Sequence, residues 1–231
     1  MIIYLTILGS SLGSFFAAYV YRYPCKISIS DGHSKCPHCS KQLLWYDLIP
    51  IFSWLSLKGT CRYCRSKLSV HYLVFEVINA LIFATIYVFT NSLYLTLIYG
   101  CFISLVITLS WLDLLTQTIP VSFIIALVPI VIMIATLGDV DKHLHSTIIT
   151  TLIFGSCYLL FPKQLGLGDV LYMSIVSTLL YPYQLLISII LSCLLALIYL
   201  LWSSKKESSF IKETLPFVPF LSIGVCITLF V

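Results

Sequence analysis

The sequence predicts an all-α polytopic membrane protein of about eight transmembrane helices, with a small cysteine-rich insert between helices 1 and 2. Three observations predict it. Of 231 residues, 60% are apolar and only 10% are charged, with a mean hydropathy of +1.04. A soluble domain of that composition could not cover its core with polar groups, so the bilayer is the fitting solvent. Apolar runs of transmembrane length recur along the chain, and a duplicated Cys-x-x-Cys pattern interrupts them once.

The apolar runs fall near 2–20, 70–90, 93–111, 119–137, 144–161, 170–202 and 215–231. One helix over 170–202 would be about 50 Å long against a hydrocarbon core of about 30 Å. The stretch holds Tyr181-Pro182-Tyr183-Gln184. Proline flanked by tyrosines suits a turn at a membrane interface, so the run divides into two spans. The first run carries no basic residue before Arg22, the reverse of a cleaved secretory signal, and is expected to remain as helix 1.

Charge supplies the orientation. The segment 21–69 carries Arg22, Lys26, Lys35, Lys41, Lys58, Arg62, Arg65 and Lys67, and basic loops stay cytoplasmic. With eight alternating spans, every one of the thirteen lysines and arginines except Lys142 falls on that side. The expected organisation is helix 1 at 1–20, a cytoplasmic insert at 21–69 and a membrane-embedded domain at 70–231. The net charge of +4 follows from this orientation and does not imply nucleic acid. No P-loop or dinucleotide fingerprint is present.

Within the insert, "KCPHCSKQL" (35–43) and "TCRYCRSKL" (60–68) repeat one pattern. Cys36, Cys39, Cys61 and Cys64 are spaced C-x₂-C-x₂₁-C-x₂-C, and two such turns complete a tetrahedron of thiolates. Disulfides rarely persist in the cytoplasm, so the expected ligand is a structural Zn²⁺ that folds a loop too small for its own core. Paired redox thiols and unligated cysteines are the alternatives. His38, between two ligands, is not needed once four thiolates are in place. Cys25, Cys101, Cys157, Cys193 and Cys226 lack partner spacing and read as small buried hydrophobes.

Nine acids remain to be placed. Asp113 and Asp169 come at the cytoplasmic ends of the third and sixth spans, at matching depth. Acids at a membrane boundary are costly to desolvate and are functional candidates. Two close carboxyls share a proton, so one can take a proton from water while the other polarises an amide carbonyl. In "QLGLGDV" (164–170), Gly166 and Gly168 would let the backbone bend and a substrate strand approach Asp169. The competing structural reading makes Asp169 a helix cap and Asp113 a headgroup-level helix end. Glu76 pairs with a cation such as His71, holds the insert or serves a further chemistry. Arg22 and Lys67 read as topology anchors.

The chain resembles the prepilin peptidase family, the type IV leader peptidases among the GXGD membrane aspartic proteases, which include the late competence processing enzymes. The resemblance rests on "GSFFAAYVYRYP" (13–24), "CPHC", "DLIPIFSWLSLKGTCRYC" (47–64), "HYLVFEVINALIF" (71–83), "DLLTQTIP" (113–120), "GLGDV" (166–170) and "LPFVPFLSIG" (215–224). It implies removal of the basic leader of prepilin or pseudopilin substrates at the cytoplasmic face of the bacterial plasma membrane. It also implies methylation of the new N-terminus with S-adenosylmethionine. The family's catalytic aspartates fall on Asp113 and Asp169, Lys163 matches a common basic position, and Glu76 becomes a candidate for methyl transfer. Two positions depart from the family pattern: Leu171 stands where a lysine is common, and Val121 where an acid is common. The non-enzymatic alternative is a zinc-stabilised scaffold of a pilus, secretion or DNA-uptake machine. A proton relay would need acids distributed through the bilayer, which this chain lacks.

Overall fold

The computed structural model describes residues 1–27, 34–137, 140–162, 165–204 and 215–229. Among them the chain is helical without strands. The helices are α1 (Ile2–Arg22), α2 (Phe52–Ser56), α3 (Val70–Thr90), α4 (Leu93–Thr116), α5 (Val121–Ala135), α6 (Val140–Leu160), α7 (Leu167–Val176), α8 (Pro182–Ser204) and α9 (Val218–Leu229). Short 3₁₀ turns stand at Trp45–Leu48 and Ser177–Leu179.

Every expected span has a helix, but the helices differ in reach. Those over Ile2–Arg22, Val70–Thr90, Leu93–Thr116 and Pro182–Trp202 are long and apolar enough to cross a membrane, which makes this a membrane protein. The helices at 121–135, 144–160, 167–179 and 218–229 are apolar but shorter than that. A helix of 15 residues such as α5 covers about 22 Å, less than the hydrocarbon thickness. The count of eight spans thus rests on helices of two kinds.

The break inside 170–202 falls at the expected place. After Leu179 the chain leaves helical geometry at Leu180, and Pro182 opens α8. Proline is suited to a first helical position because its missing N–H would be unpaired there anyway. The Gln184 side chain accepts from the Tyr181 N–H at 3.1 Å, and the Tyr181 and Tyr183 rings stack at 5.9 Å. Elsewhere Ser69 caps α3 through the His71 N–H, and Asn91 ends it in a left-handed conformation.

Two compact units emerge, Met1–Ser104 and Leu105–Val231. In the first, α1 packs on α3 with almost no side chain between them. A Cβ on Gly9 would meet the Asn79 carbonyl at 2.6 Å, and one on Gly13 the Phe75 carbonyl at 2.5 Å. Glycines four apart form the small-residue seam by which apolar helices associate in lipid. The described residues of the insert fold onto this pair within the same unit. In the second unit, α7 packs on α5, α6 and α9, and α8 packs on α9. The core there holds fully buried Tyr172, Met173, Leu180, Leu185 and Leu221.

Candidate functional site

The duplicated sequence becomes a duplicated structure. In the first copy the Cys36 N–H donates to Lys41 O, the Ser40 N–H to Cys36 O and the Leu43 N–H to Ser34 O. In the second, Cys61 donates to Ser66, Arg65 to Cys61 and Leu68 to Gly59. The bridges Lys35–Gln42 and Thr60–Lys67 correspond, as do the left-handed residues Ser40 and Arg65. Each turn aims one buried thiol (Cys36, Cys61) and one exposed thiol (Cys39, Cys64) at a common point.

The four ligand atoms lie within 4.8 Å of one another, and Cys36 Sγ stands 3.9 Å from Cys64 Sγ. Zinc–sulfur bonds of about 2.3 Å in a tetrahedron put sulfurs about 3.8 Å apart, so the thiols fit such an ion. The group consists of the four expected cysteines, with His38 outside it. The Ser66 hydroxyl, 3.0 Å from Cys64 Sγ, together with the Ser66 backbone, pulls that thiol down to about 6. At Cys36 burial opposes the thiolate, but hydrogen bonds from the Cys39 and His38 backbone and from the Cys61 and Cys39 thiols together lower its pKa. Of the other cysteines none is buried: Cys25, Cys157 and Cys193 are exposed and Cys101 and Cys226 half-buried, and on an apolar membrane helix such as α8 the surroundings of an exposed thiol can be lipid.

Glu76 is buried where α3 crosses α1. Its Oε2 accepts from the Ile51 N–H at 2.6 Å, and Ser14 of α1 also bonds it. These bonds tie the insert to the helix pair. Beside them lies a cavity of about 700 Å³ lined in part by Ser14, Arg22, Asp47, Trp54, Tyr72 and Glu76.

In the second unit the structure brings Asp113 and Asp169 within electrostatic range of each other. Asp113 is buried in the last turn of α4, and its Oδ2 accepts from the Val218 N–H at 3.1 Å, capping α9 from a distance in sequence. Asp169 is half-buried in the first turn of α7, where its Oδ2 accepts from the Gly166 N–H at 3.3 Å. Asp169 therefore also has the capping role that the structural reading gave it, while the cap that Asp113 supplies to α9 was not anticipated.

The two glycines differ from each other. Gly166 sits at φ −77°, a conformation open to any residue. Gly168 is needed for packing: a Cβ there would lie 2.9 Å from Ile119 Cδ1. Its bare face lies against Ile119, in the connection that follows Asp113. Lys163 lies outside the described residues.

One set of residues was not anticipated. Tyr172 Oη stands 2.8 Å from Ser222 Oγ, which accepts from Ser110 Oγ at 2.9 Å. This chain joins α7, α9 and α4 one helical turn from the acids. Its signal in the sequence is spacing alone: Ser110 lies three before Asp113, Tyr172 three after Asp169 and Ser222 four after Val218.

Fold and sites together define a polytopic helical membrane protein with a thiol cluster in one unit and a carboxyl pair in the other. Two family models match it, the bacterial peptidase A24 N-terminal domain over residues 7–90 and the type IV leader peptidase family over residues 100–201. The chain belongs to the type IV leader peptidase family. It is 30% identical over 207 residues to the prepilin leader peptidase/N-methyltransferase of Dichelobacter nodosus, covering 84% of this chain and 70% of that protein. The type 4 prepilin-like proteins leader peptide-processing enzyme of Escherichia coli O78:H11 is 29% identical over 97% of this chain and 92% of its own length. The Myxococcus xanthus prepilin leader peptidase/N-methyltransferase is 34% identical over 52% of this chain, a match that spans only 36% of that relative. No solved structure matches the chain significantly.

Proposed function

We propose that the chain is a prepilin leader peptidase with N-methyltransferase activity, cutting the leader of prepilin or pseudopilin substrates and methylating the new N-terminus. The observation that carries the reading is the pairing of Asp113 with Asp169 inside the segment matched by the leader peptidase model. One oxygen of each carboxyl is engaged by a backbone N–H. The other oxygen of each is assigned the chemistry. With one proton between them, the ionised acid takes a proton from water as it attacks the scissile carbonyl. The protonated acid donates to the carbonyl oxygen, and the departing amine is then protonated as the tetrahedral intermediate collapses. The distribution of basic residues supports a cytoplasmic position for both acids and the insert.

The thiol cluster is assigned a structural Zn²⁺, held by Cys36, Cys39, Cys61 and Cys64 with no open position for water. S-adenosylmethionine fits the cavity in the first unit, whose volume is within the ~300–1,000 Å³ usual for small-molecule sites. When bound it supplies an electrophilic methyl group to a neutral amine. Its lining carries Asp47 and Glu76 beside Arg22, Lys35 and Arg62, groups of both signs for a molecule that bears a sulfonium and a carboxylate.

Incubation of the purified protein with a prepilin and a labelled methyl donor, followed by mass measurement of the product, tests both halves. The expected product has lost its leader and gained one methyl group. An uncut prepilin would refute the peptidase assignment, and a cut but unmethylated one the methyl-transfer assignment.

A further inference from the structure

The insert has an apolar surface that lies outside the metal cluster and, apart from Leu48, outside the lining of the cavity. Leu44, Trp45, Leu48, Ile49, Phe52 and Leu55 are all exposed within twelve residues, Trp45 at 77% and Phe52 at 68%. A soluble loop rarely shows such a cluster unless something covers it.

The Glu76 bond fixes where this surface lies. Its carboxylate holds the Ile51 N–H, and Glu76 stands six residues inside α3, about 9 Å along the axis from Val70. Gly13, packed against the Glu76 Cα, stands nine residues from the end of α1 at Arg22, about 13 Å by the same rise. Both helices are about 31 Å long, close to the thickness of the hydrocarbon core. Both measures put the Glu76 Cα about 9–13 Å inside the helix ends, and its side chain, leaning toward the start of α3, holds the Ile51 N–H between that depth and the helix end, near the upper acyl chains.

The backbone of the segment suits that depth, where unpaired amides are costly. Leu44 N–H donates to Asp47 Oδ2 and Asp47 N–H to Leu44 O. The Phe52, Ser53, Leu55 and Leu57 N–H groups donate to Pro50, Ile49, Ile51 and Ser53 carbonyls. Pro50 has no N–H to satisfy. Ile51, the turn's apex, is held at φ 63°, unusual for a β-branched residue, and its N–H is the one the Glu76 carboxylate takes up. Basic residues sit nearby, with Arg62 over the Tyr46 ring at 5.0 Å and bonded to Asp47 at 2.7 Å. Aromatic rings beside cations are the usual furniture of a lipid interface.

We propose that residues 44–55 form a re-entrant wedge immersed in the cytoplasmic-leaflet lipid, pinned to the helix pair by Glu76. The wedge anchors the metal-bearing insert to the bilayer surface. This assignment concerns placement in lipid and holds whether or not the acids are catalytic.

Photocrosslinking tests it in the full-length protein. p-Benzoylphenylalanine is placed at Trp45, at Phe52 and, as control, at exposed Arg65. The proteins are reconstituted in vesicles of phosphatidylethanolamine and phosphatidylglycerol and irradiated, and adducts are identified by mass. Lipid adducts at 45 and 52 are expected roughly tenfold above those at 65, because hydrocarbon replaces water at those sites. Equal yields at all three positions would overturn the wedge. So would adducts at 45 and 52 that pass from lipid to an added prepilin, since they would make the surface a substrate dock.

Discussion

Asp113 accepts a hydrogen bond at 3.1 Å from the backbone N–H of Val218, a residue 105 positions later and fully buried at the start of α9. The bond makes the observed cap separable from the proposed acid role of the same side chain. Asp113→Asn keeps an acceptor for the Val218 N–H while removing the ionisable group. Leader cleavage should then fall by about 10²–10⁴-fold with thermal stability nearly unchanged. Asp113→Ala should additionally cost about 1–3 kcal/mol, because a buried N–H loses its partner. Gel mobility of a prepilin and a melting curve in detergent read the two effects separately. Full cleavage by the asparagine variant, or by Asp169→Asn, would remove the dyad.

Gly168 against Ile119 gives a second expectation. Gly168→Ala introduces a methyl 2.9 Å from Ile119 Cδ1 and should push apart the segments that carry the two acids. Overpacking of this kind costs about 1–3 kcal/mol. Shortening the partner in the Gly168→Ala/Ile119→Ala double variant should restore much of the lost kcat. If the double variant is no better than the single, the contact is not what demands glycine.

The hydroxyl chain Tyr172–Ser222–Ser110 predicts an asymmetry. Tyr172→Phe leaves Ser222 still paired with Ser110 and should cost about 1 kcal/mol. Ser222→Ala strands the Tyr172 hydroxyl in a fully buried position and should cost more, about 1–3 kcal/mol. Denaturation midpoints in a mild detergent give the order. A reversed order would mean the chain does not link the helices as described.

The thiol cluster should carry one zinc per chain by elemental analysis of anaerobically purified protein. Cys36→Ser or Cys61→Ser should lower both that ratio and the melting temperature, and strong chelators should do the same to the parent. Acid should act likewise. Cys64 is lowered to about 6, so stabilisation from its thiolate is complete above the ordinary thiol value, declines below it and is gone once pH falls through about 6. A melting temperature flat between pH 8 and pH 5, with metal retained, would contradict this.

The local chemistry of the chain was legible in its residues. Apolar runs gave the helices because the bilayer admits few alternatives to a self-satisfied backbone. Pro182 gave the break before α8 because its ring and missing N–H are properties of one residue. The spacing of Cys36, Cys39, Cys61 and Cys64 gave the cluster because each Cys-x-x-Cys turn is short enough to aim both thiols by itself.

Relations between distant segments were decided only when the chain packed. Nothing near Asp113 names Val218, nothing near Glu76 names Ile51, and the empty side of Gly168 belongs to Ile119. In each case a buried polar group or a missing Cβ takes its meaning from a partner on another element. A sequence states which side chains and bare backbone are present, while the close approach of helices decides which of them meet.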